Sequence, residues 1–418
     1  MKTVSFINYI VALLFFILYS YQLLYILIPF IKKSKPYKNA KLHRYAVLIA
    51  ARNEEAVITR LIESIRHQNY PSRLIKIFVV ADNCTDNTAE AARRAGAVVW
   101  ERFNRRKIGK GYALAFLLEQ IERAYPGKPF DGYFVFDADN LLDENYISEM
   151  NKCFSQGHRI ITSCRNSKNY GSNWISAGYG LWFLRESQYV NRSRALLGTS
   201  CAVTGTGYLF HREILEQAGG WKYFLLTEDI EFSVHNIIKG EKIAYCESAV
   251  FFDEQPTRFS QSWYQRMRWT KGSIQVCRKY GLELIKSIFR NRSFSSYDMA
   301  ATIFPPITLT AVSGTINLIG AAVALSSKHN MVAFIQSLGQ SVLNAYLMFY
   351  AIGLITTITE WKHIYCPAGK KVLYTFTFPF FILTYVPITI VTLFKKVEWR
   401  PIEHTESISL KEVRKVSD

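Results

Sequence analysis

The chain of 418 residues is long enough for one large domain or two smaller ones, and 49% of its residues are hydrophobic. Its formal net charge of +18 suggests a nucleic-acid-binding protein, but the placement of the cations argues against that class. Six cations and no acid directly follow an apolar N-terminal stretch: Lys32, Lys33, Lys35, Lys38, Lys41 and Arg44. The seven cysteines show no paired metal-binding spacing, so we expect no disulfide framework in a reducing compartment.

Four stretches of the chain carry no charged residue, and each exceeds the roughly 18–20 residues that a helix needs to cross a bilayer. They are Thr3–Ile31, Met299–Ser327, Asn330–Thr359 and Val372–Phe394. The sequence therefore predicts an N-terminal transmembrane anchor at 1–31, a C-terminal transmembrane block at 299–394 and a tail at 395–418. The first stretch is too long for a signal-peptide core, so we expect the anchor to be retained.

The cations after the anchor predict which side of the membrane the following domain occupies. Lys and Arg accumulate on the cytoplasmic side of membrane helices, so we expect that domain in the cytoplasm beside anionic lipid. Three crossings after the domain would leave the basic stretch Lys395–Arg400 outside, against the same rule. Either one segment is re-entrant, with Pro305-Pro306, Pro379 and Pro387 as candidate breaks, or the tail is external. We expect a cytoplasmic tail.

Between the anchor and the transmembrane block, apolar runs of strand length alternate with segments of helical spacing. Strands are predicted at Tyr45–Ala51, Leu74–Ala81, Ala97–Trp100 and Tyr133–Asp137, and a helix from Gly109-Lys110-Gly111 through Ala124. Such alternation, at intervals of roughly 20–30 residues, indicates βαβ units and a parallel sheet. The first strand is not followed by the glycine-rich turn of a dinucleotide site, which argues against a dehydrogenase.

The fourth predicted strand ends in two carboxylates two positions apart, Asp137 and Asp139. Ligands of open α/β sheets gather at the carboxyl ends of strands, and two neighbouring acids repel each other unless a cation or a proton offsets them. The pair indicates divalent-metal and phosphate chemistry, with a solvated turn that caps the next helix as the alternative. Asp82 ends the second strand, where it either contacts a base or ribose or forms an Asx-turn.

Three further motifs follow the Asp pair. Thr204-Gly205-Thr206-Gly207 is either a close-approach site for a sugar chain or a tight turn. Thr227-Glu228-Asp229 opens a predicted helix, where an acidic pair is ordinarily a cap. Gln265, Arg268 and Trp269 stand at i, i+3 and i+4 and share one helical face. Arg suits bidentate phosphate contacts and Trp suits a stacked sugar ring, whereas the alternative is an amphipathic surface helix.

Four motifs occur in a fixed order along the chain: Asp82, Asp137-x-Asp139, Thr227-Glu228-Asp229 and Gln265-x-x-Arg268-Trp269. In this order they resemble the membrane-integrated family 2 glycosyltransferases, the group of cellulose, chitin, hyaluronan and poly-N-acetylglucosamine synthases. The resemblance implies an α/β fold, with a Rossmann-like glycosyltransferase-A domain at 45–272 and an α-helical transmembrane region. Between them, the basic amphipathic piece Tyr280–Phe294 predicts an interfacial region at 273–298.

For the donor, the resemblance implies that residues at the strand ends bind a UDP-sugar. Asp82 would contact the uracil or ribose, with Lys110 nearby, and Asp137 would hold the diphosphate. Asp137 and Asp139 together would bind Mg²⁺ or Mn²⁺, which stabilises the leaving diphosphate. Family members often carry two consecutive acids at the end of the second strand, whereas here Ala81 precedes Asp82, so the nucleotide contact departs from the pattern.

For the acceptor, the resemblance implies a general base and a binding surface. Asp229 would take the proton of the acceptor hydroxyl, which becomes acidic only as it attacks, and Glu228 would lie in the same acceptor and diphosphate region. The remaining acceptor and diphosphate contacts would come from Gln265, Arg268, Trp269 and Trp221. In-line attack would invert the anomeric centre and give a β-linkage from an α-linked donor.

The sequence thus predicts an inverting, metal-dependent glycosyltransferase that moves a hexosyl or N-acetylhexosaminyl group from a UDP-sugar to a growing β-linked polysaccharide. The alternatives are a non-processive transferase that makes a membrane glycolipid, and a non-catalytic membrane component that senses sugar nucleotides. We expect a multi-pass protein of the plasma membrane, in contact with lipid, with its catalytic domain in the cytoplasm and no nucleic-acid partner. The sugar, the linkage, the acceptor and an export partner are left open.

Overall fold

The structure is a computed structural model that describes residues 2–34, 37, 40–127, 129–325 and 328–415. Two cations of the cluster after the anchor, Lys35 and Lys38, lie outside the described residues. The chain forms an α/β domain between Tyr45 and Asp253, with long helices before and after it and a C-terminal tail that returns to it.

A mixed sheet forms the centre of the domain. Its strands are β1 (Tyr45–Ala51), β2 (Ile75–Asp82), β3 (Val98–Arg102), β4 (Gly132–Asp137), β5 (Leu141–Leu142), β6 (Ile160–Ser167), β7 (Tyr208–His211) and β8 (Ile243–Asp253). They lie side by side in the order β3-β2-β1-β4-β7-β6-β8-β5. The parallel arrangement predicted from the alternation holds for β1 to β4, whereas β7 pairs antiparallel with both β4 and β6.

Burial on both faces explains why the four parallel strands form the core. Apolar residues occupy nearly every position of β1, which is typical of a strand covered by helices on both sides. One face packs under α2 (Ile58–Arg66) through Leu61 and Ile65. The other face packs under α4 (Lys110–Ala124) through Leu117. Because β1, β2 and β4 run parallel, their carboxyl ends meet at one edge of the sheet.

The domain contains further helices besides α2 and α4. They are α3 (Thr88–Arg94), α5 (Tyr146–Ser155), α6 (Trp174–Arg185), a π-helical segment (Glu186–Asn191), α7 (Arg192–Leu197), α8 (Arg212–Ala218) and α9 (Glu228–Ile238). At the start of α6 the Asn173 side chain accepts from the Ile175 amide at 2.9 Å in a capping box, which fixes where the helix begins.

Long helices follow the domain. α10 (Phe259–Arg290) is continuous, so it carries both the Gln265–Trp269 face and much of the predicted interfacial region. Among the described residues, four segments are long and apolar enough to cross a membrane, which marks the chain as a membrane protein. Their helices are α1 (Lys2–Ile31), α11 (Phe294–Ala324), α12 (Lys328–Thr359) and the consecutive pair α13 (Ala368–Leu383) and α14 (Tyr385–Phe394).

The N-terminal helix is fastened to the first helix after the domain. α1 runs antiparallel to α11, since Asn8 bonds Asn317 at 3.0 Å while the Tyr25 hydroxyl donates to Asp298 at 2.8 Å. Arg194 of α7 donates to both oxygens of Asp298, at 2.7 and 2.9 Å. This buried bidentate pair links the domain to both helices at the point where they leave it.

The fourth apolar segment differs from the other three in its contacts. Near its start, Lys370 Nζ donates to the Gly171 carbonyl of the domain at 2.7 Å. At its middle, a Cβ on Gly178 of α6 would stand 2.4 Å from Phe381, so this helix lies directly against the domain. At its end, Lys271 of α10 donates to the Thr392 carbonyl at 3.2 Å. The start and middle of α13–α14 therefore lie against the α/β domain, and its end lies against α10.

The tail after α14 packs onto the same domain. The Thr405 and Glu406 amides donate to the Glu254 carboxylate at 3.0 and 2.9 Å. A last helix, α15 (Leu410–Lys415), buries Leu410 and Val413 against a small apolar cluster at the β5 edge of the sheet. The tail thus lies on the same side of the long helices as the domain.

Candidate active site

A pocket opens at the carboxyl ends of β1, β2 and β4, the edge where the sequence predicts a site. Its lining contains the predicted residues Asp82, Lys110, Asp137, Asp139, Glu228, Asp229, Gln265, Arg268 and Trp269. It also contains residues that the sequence did not suggest, among them Glu54, Arg165, Asp253, Glu254, Trp399, Arg400 and His404. The structure therefore brings together segments from the domain, α10 and the tail.

Asp137 faces the pocket and is paired with Lys110. Lys110 is the first residue of α4, and its Nζ lies 2.5 Å from Asp137 Oδ1 and 2.7 Å from the Gly205 carbonyl. Burial lowers the pKa of Lys110, but the charges of Asp137 and Glu228 outweigh that effect and raise it. Lys110 is therefore a fixed cation at the mouth of β4, beside the place where the sequence predicts a diphosphate.

Asp139 is almost fully buried, unlike Asp137. One of its oxygens accepts from the Glu254 amide at 2.8 Å and the other from Asn140 Nδ2 at 3.3 Å. Although burial raises the pKa of Asp139, the cations of His404 and Lys168 lower it overall. This carboxylate is therefore held ionised and in one orientation.

Glu228 and Asp229 begin α9 beside the Lys110–Asp137 pair, since Lys110 Nζ lies 3.9 Å from Glu228 Oε1. The Gly205 amide donates to Asp229 Oδ2 at 2.5 Å, so the Thr204–Gly207 turn holds the carboxylate in place. Burial raises the pKa of Glu228 to about 7, and the charge of Asp229 adds to the rise. Burial also raises the pKa of Asp229, which hydrogen bonds to backbone amides oppose.

The Gln265–Trp269 face of α10 lies beside this acidic pair because of a close helix approach. A Cβ on Gly272 would stand 2.4 Å from Thr227, the residue before Glu228, so only glycine permits the contact. Arg268 donates to the Leu226 carbonyl at 3.3 Å and keeps accessible surface toward the pocket. Gln265 Oε1 is buried and has no hydrogen-bond partner among the described residues. An amide and a guanidinium thus remain available to a ligand.

Two predicted contacts differ from the sequence-based expectation. Asp82 lies in the pocket, but its carboxylate is buried in an ion pair with Arg102 of β3, a partner that the sequence did not suggest. Trp221 does not line the pocket; it is stacked on Phe232 with ring centroids 5.6 Å apart, inside the apolar core. The structure therefore does not place Trp221 where it would contact an acceptor.

Two acids of the pocket were not found from the sequence, because each is paired with a basic residue that is distant in sequence. Asp253 ends β8 and binds Arg165 of β6 in a buried ion pair. Glu54 binds His404 Nδ1 of the tail at 2.9 Å, across 350 positions. Burial raises the pKa of Glu54 to about 7, which the His404 charge opposes. Polar residues at strand ends were the only sequence signal for either acid.

The donor set at Asp137 and Asp139 fits a hard divalent cation. Both side chains offer carboxylate oxygens, and Mg²⁺ is commonly held by one or two carboxylates together with substrate phosphates. Among the described residues there is no group of three or more His, Cys, Asp or Glu side chains arranged to enclose a metal ion. A metal here would therefore depend on oxygens from the substrate as well.

Two curated relatives show what the sequence of this chain is similar to. The poly-β-1,6-N-acetyl-D-glucosamine synthase of Staphylococcus epidermidis is 25% identical over 235 residues, covering 55% of this chain and 54% of the relative. The β-monoglucosyldiacylglycerol synthase of Synechocystis sp. is 24% identical over 239 residues, covering 55% and 47%. The chain thus spans about half the length of the curated relatives it matches.

The fold is also found among solved structures. Mannosyltransferase PcManGT from Pyrobaculum calidifontis, in complex with GDP-Man and Mn²⁺, superimposes with a TM-score of 0.60 at 17% identity, covering 94% of this chain and 99% of that one. The glycosyltransferase-A fold expected from the sequence is confirmed. Residues 43–272 match the profile of the family described as glycosyltransferase like family 2. Because that match covers more than half of the chain, the protein belongs to this family.

Proposed function

We propose that the protein is an inverting glycosyltransferase that moves a hexosyl or N-acetylhexosaminyl group from a UDP-sugar to a growing β-linked glycan. The observation that carries this proposal is the convergence on one pocket of Asp137, Asp139, Asp229 and Arg268, which belong to three separate parts of the sequence. Two acids stand at a strand end, a third acid is linked to them through Gly205 and Lys110, and a cation with an indole beside it completes the lining. This set matches the needs of sugar transfer from a nucleotide diphosphate.

The donor side stabilises the leaving group. Asp137 and Asp139 would hold Mg²⁺ or Mn²⁺, which neutralises charge on the diphosphate when bound. Lys110 and Arg268 add two cations near the same place, and fixed charges in an enclosed pocket stabilise a developing anion without reorganising at the moment of reaction. The base and ribose would lie towards Asp82, whose pairing with Arg102 fixes its carboxylate.

The acceptor side supplies the base. Asp229 takes the proton of the attacking hydroxyl. The Gly205 amide, which donates to Asp229 Oδ2 at 2.5 Å, keeps the carboxylate oriented. Trp269 offers a ring face for an acceptor sugar and is itself braced edge-on by Tyr179 at 5.7 Å. In-line attack by that hydroxyl, on the face of the sugar opposite the leaving diphosphate, would invert the anomeric centre.

The contacts of the helices support a membrane topology with three crossings. We infer that α1, α11 and α12 span the bilayer, whereas α13–α14 lies in its cytoplasmic interface along the domain. Its start binds the domain, and its end binds Lys271 of α10, next to Gly272 where α10 packs on Thr227 of the domain. The catalytic domain and the tail then share the cytoplasmic side, which satisfies the positive-inside rule for Lys395–Arg400. One re-entrant or interfacial segment was the alternative that the sequence left open.

The test is a panel of UDP-sugars given to the purified protein in proteoliposomes, with and without Mg²⁺ or Mn²⁺. We expect UDP release from one donor, dependence on a divalent cation, and loss of most activity in Asp139→Asn, which removes a charge from the strand-end pair. Product length by mass spectrometry separates a polysaccharide from a glycolipid. Full turnover in excess EDTA would contradict the metal assignment, and absence of UDP release from every donor would leave the sensor alternative.

A further inference from the structure

A second polar group lies between the pocket and the long helices, on the last turn of α6 and the first of the π-helical segment. Trp182, Arg185 and Glu186 stand at i, i+3 and i+4 and share one side of the helix. The Arg185 guanidinium lies 4.9 Å from the centre of the Trp182 ring. π-helical turns are rare and frequently accompany functional sites.

Apart from the contact of Arg185 with the Trp182 ring, the charged groups of Arg185 and Glu186 have no partner among the described residues. Neither forms a hydrogen bond or an ion pair within the described part of the chain, whereas the neighbouring arginines Arg165 and Arg194 each bind a carboxylate. Both side chains are half-buried, and burial lowers the pKa of Arg185. Charges taken out of water are costly unless they are paired, so a bound polar ligand would compensate them.

The position of Glu186 connects this group to the catalytic pocket. Burial raises the pKa of Glu186; the charges of Arg165, Arg194 and Arg185 oppose the rise, and that of Asp229 adds to it. The wall between the two sites is formed by Arg165, which lines the pocket and lies 3.6 Å from the centre of the Phe183 ring on α6. The Arg165 side chain thus separates this group from the pocket, so an extended ligand that passes Arg165 would reach both.

Aromatic rings continue along the same path. Trp269, which lines the pocket, packs against Phe183 with ring centroids 6.3 Å apart, and Trp182 is the next residue back along α6. α6 itself packs against α12, since a Cβ on Gly353 would lie 3.5 Å from Leu181. The path from Asp229 thus leads towards the membrane helices, the direction in which a membrane-bound product or acceptor would extend.

We propose that Trp182, Arg185 and Glu186 form an acceptor subsite for a sugar ring one or more units away from the reacting hydroxyl. Charged side chains bind the paired hydroxyls of such a ring, and an indole face stacks on it. The ligand class is a β-linked glycan or the sugar headgroup of a glycolipid, in contrast to a lipid that carries no sugar. This subsite rests on the proposed glycosyltransferase function and specifies its acceptor.

The experiment uses Glu186→Leu and Arg185→Met, which remove the polar groups but keep most of the volume. Both full-length variants are reconstituted in proteoliposomes and given short β-linked oligosaccharides of glucose or N-acetylglucosamine as acceptors. We expect the acceptor KM to rise about 10- to 100-fold, as for loss of a charge-assisted hydrogen bond. Donor hydrolysis without acceptor is expected to stay unchanged. Gln188→Ala, on the same π-helical segment and bonded to Arg192 at 3.1 Å, is the matched control.

Three outcomes would overturn the subsite in different ways. An unchanged acceptor KM in both variants, with normal donor hydrolysis, removes the subsite and leaves the proposed function standing. An equal rise in KM for diacylglycerol, which has no sugar ring, would assign these residues to a lipid instead. If the wild-type protein releases UDP from no donor, the proposed function fails, and the subsite fails with it.

Discussion

Four acids of the pocket have different chemistry because their surroundings differ. Asp137 is paired with a lysine, Asp139 is fixed by an amide, and Glu228 and Asp229 share a buried helix start. Burial raises the pKa of both acids of the helix-start pair, most clearly that of Glu228, to about 7. Environment thus separates carboxylates suited to hold phosphate and metal from those suited to accept a proton.

The residue-scale prediction concerns Asp229→Asn. Asparagine keeps the shape and still accepts from the Gly205 amide, but it cannot take a proton, so turnover should fall by roughly the 10²–10⁴-fold typical of a lost general base. UDP affinity, measured by calorimetry, should change little because the proposed diphosphate contacts belong to other residues. Arg268→Ala should instead weaken UDP binding by about 1.5–3 kcal/mol, as for a hydrogen bond to a charged group.

Glu228→Gln is the matched comparison for that prediction. Glu228 has the neighbouring position at the helix start, but the Gly205 amide orients the carboxylate of Asp229. We therefore expect a smaller loss of turnover than in Asp229→Asn. Near-normal turnover in Asp229→Asn together with a large loss in Glu228→Gln would transfer the role of base to Glu228.

Site residues could be predicted from the sequence where the signal was local. Asp137 and Asp139 end an apolar run, and Gln265, Arg268 and Trp269 have helical spacing, so a short window contains the pattern. Glu54 and His404 could not be found in this way, because their contact joins positions 350 residues apart. Trp221 was assigned to the acceptor side through the resemblance alone, whereas the fold buries it on Phe232.

At the scale of elements, alternation predicted β1 to β4 and their parallel pairing. It could not predict β7, four residues long, or β5, two residues long, since such short strands have no periodicity of their own. β7 inserts between β4 and β6 and reverses direction, which turns the pure βαβ pattern into a mixed sheet. The pocket depends on that insertion because the Thr204–Gly207 turn leads into β7 and holds Asp229.

The tail is the element whose role the sequence showed least. It contributes Trp399 and His404 to the pocket, and its far end is held by Leu410 and Val413 in an apolar cluster with Leu141. An anchored tail closes one side of the donor pocket, whereas a released tail would leave that side open. Docking of α15 therefore contributes to donor binding without touching the donor.

The element-scale prediction is that Leu410→Ser with Val413→Ser releases the tail. Each burial of such a side chain contributes about 1.5–3 kcal/mol, so the double variant should lose most of the docking free energy. We expect the KM for the UDP-sugar to rise about tenfold with a smaller change in kcat, and limited proteolysis to cut within 395–409. Lys411→Ala, exposed on the same helix, is the control. A protected tail in the double variant would show that polar contacts alone hold it.

At the scale of the whole molecule, four apolar segments of similar length do not have equal roles. The chain returns to the domain after α12, where Asn166 Nδ2 donates to the His363 carbonyl at 2.8 Å. α11 therefore leads away from the domain, and α12 leads back to the same side. α13–α14 then starts against the same domain and ends against α10, the helix that follows the domain. Hydropathy measures length and apolarity alone, and these are the same for a spanning helix and for one buried between a domain and a bilayer.

The last prediction tests that arrangement with single cysteines added to the wild-type chain. Leu325→Cys stands at the distal end of α11, and Lys396→Cys follows α14; both positions are exposed. With three crossings, an impermeant thiol reagent should label Leu325→Cys in intact cells and Lys396→Cys only after lysis. The wild-type protein is the control, because its own half-buried cysteines, Cys84, Cys164 and Cys277, all belong to the cytoplasmic side in this arrangement. Labelling of Lys396→Cys in intact cells would mean that α13–α14 crosses the membrane, and the tail could then not form the wall of the pocket.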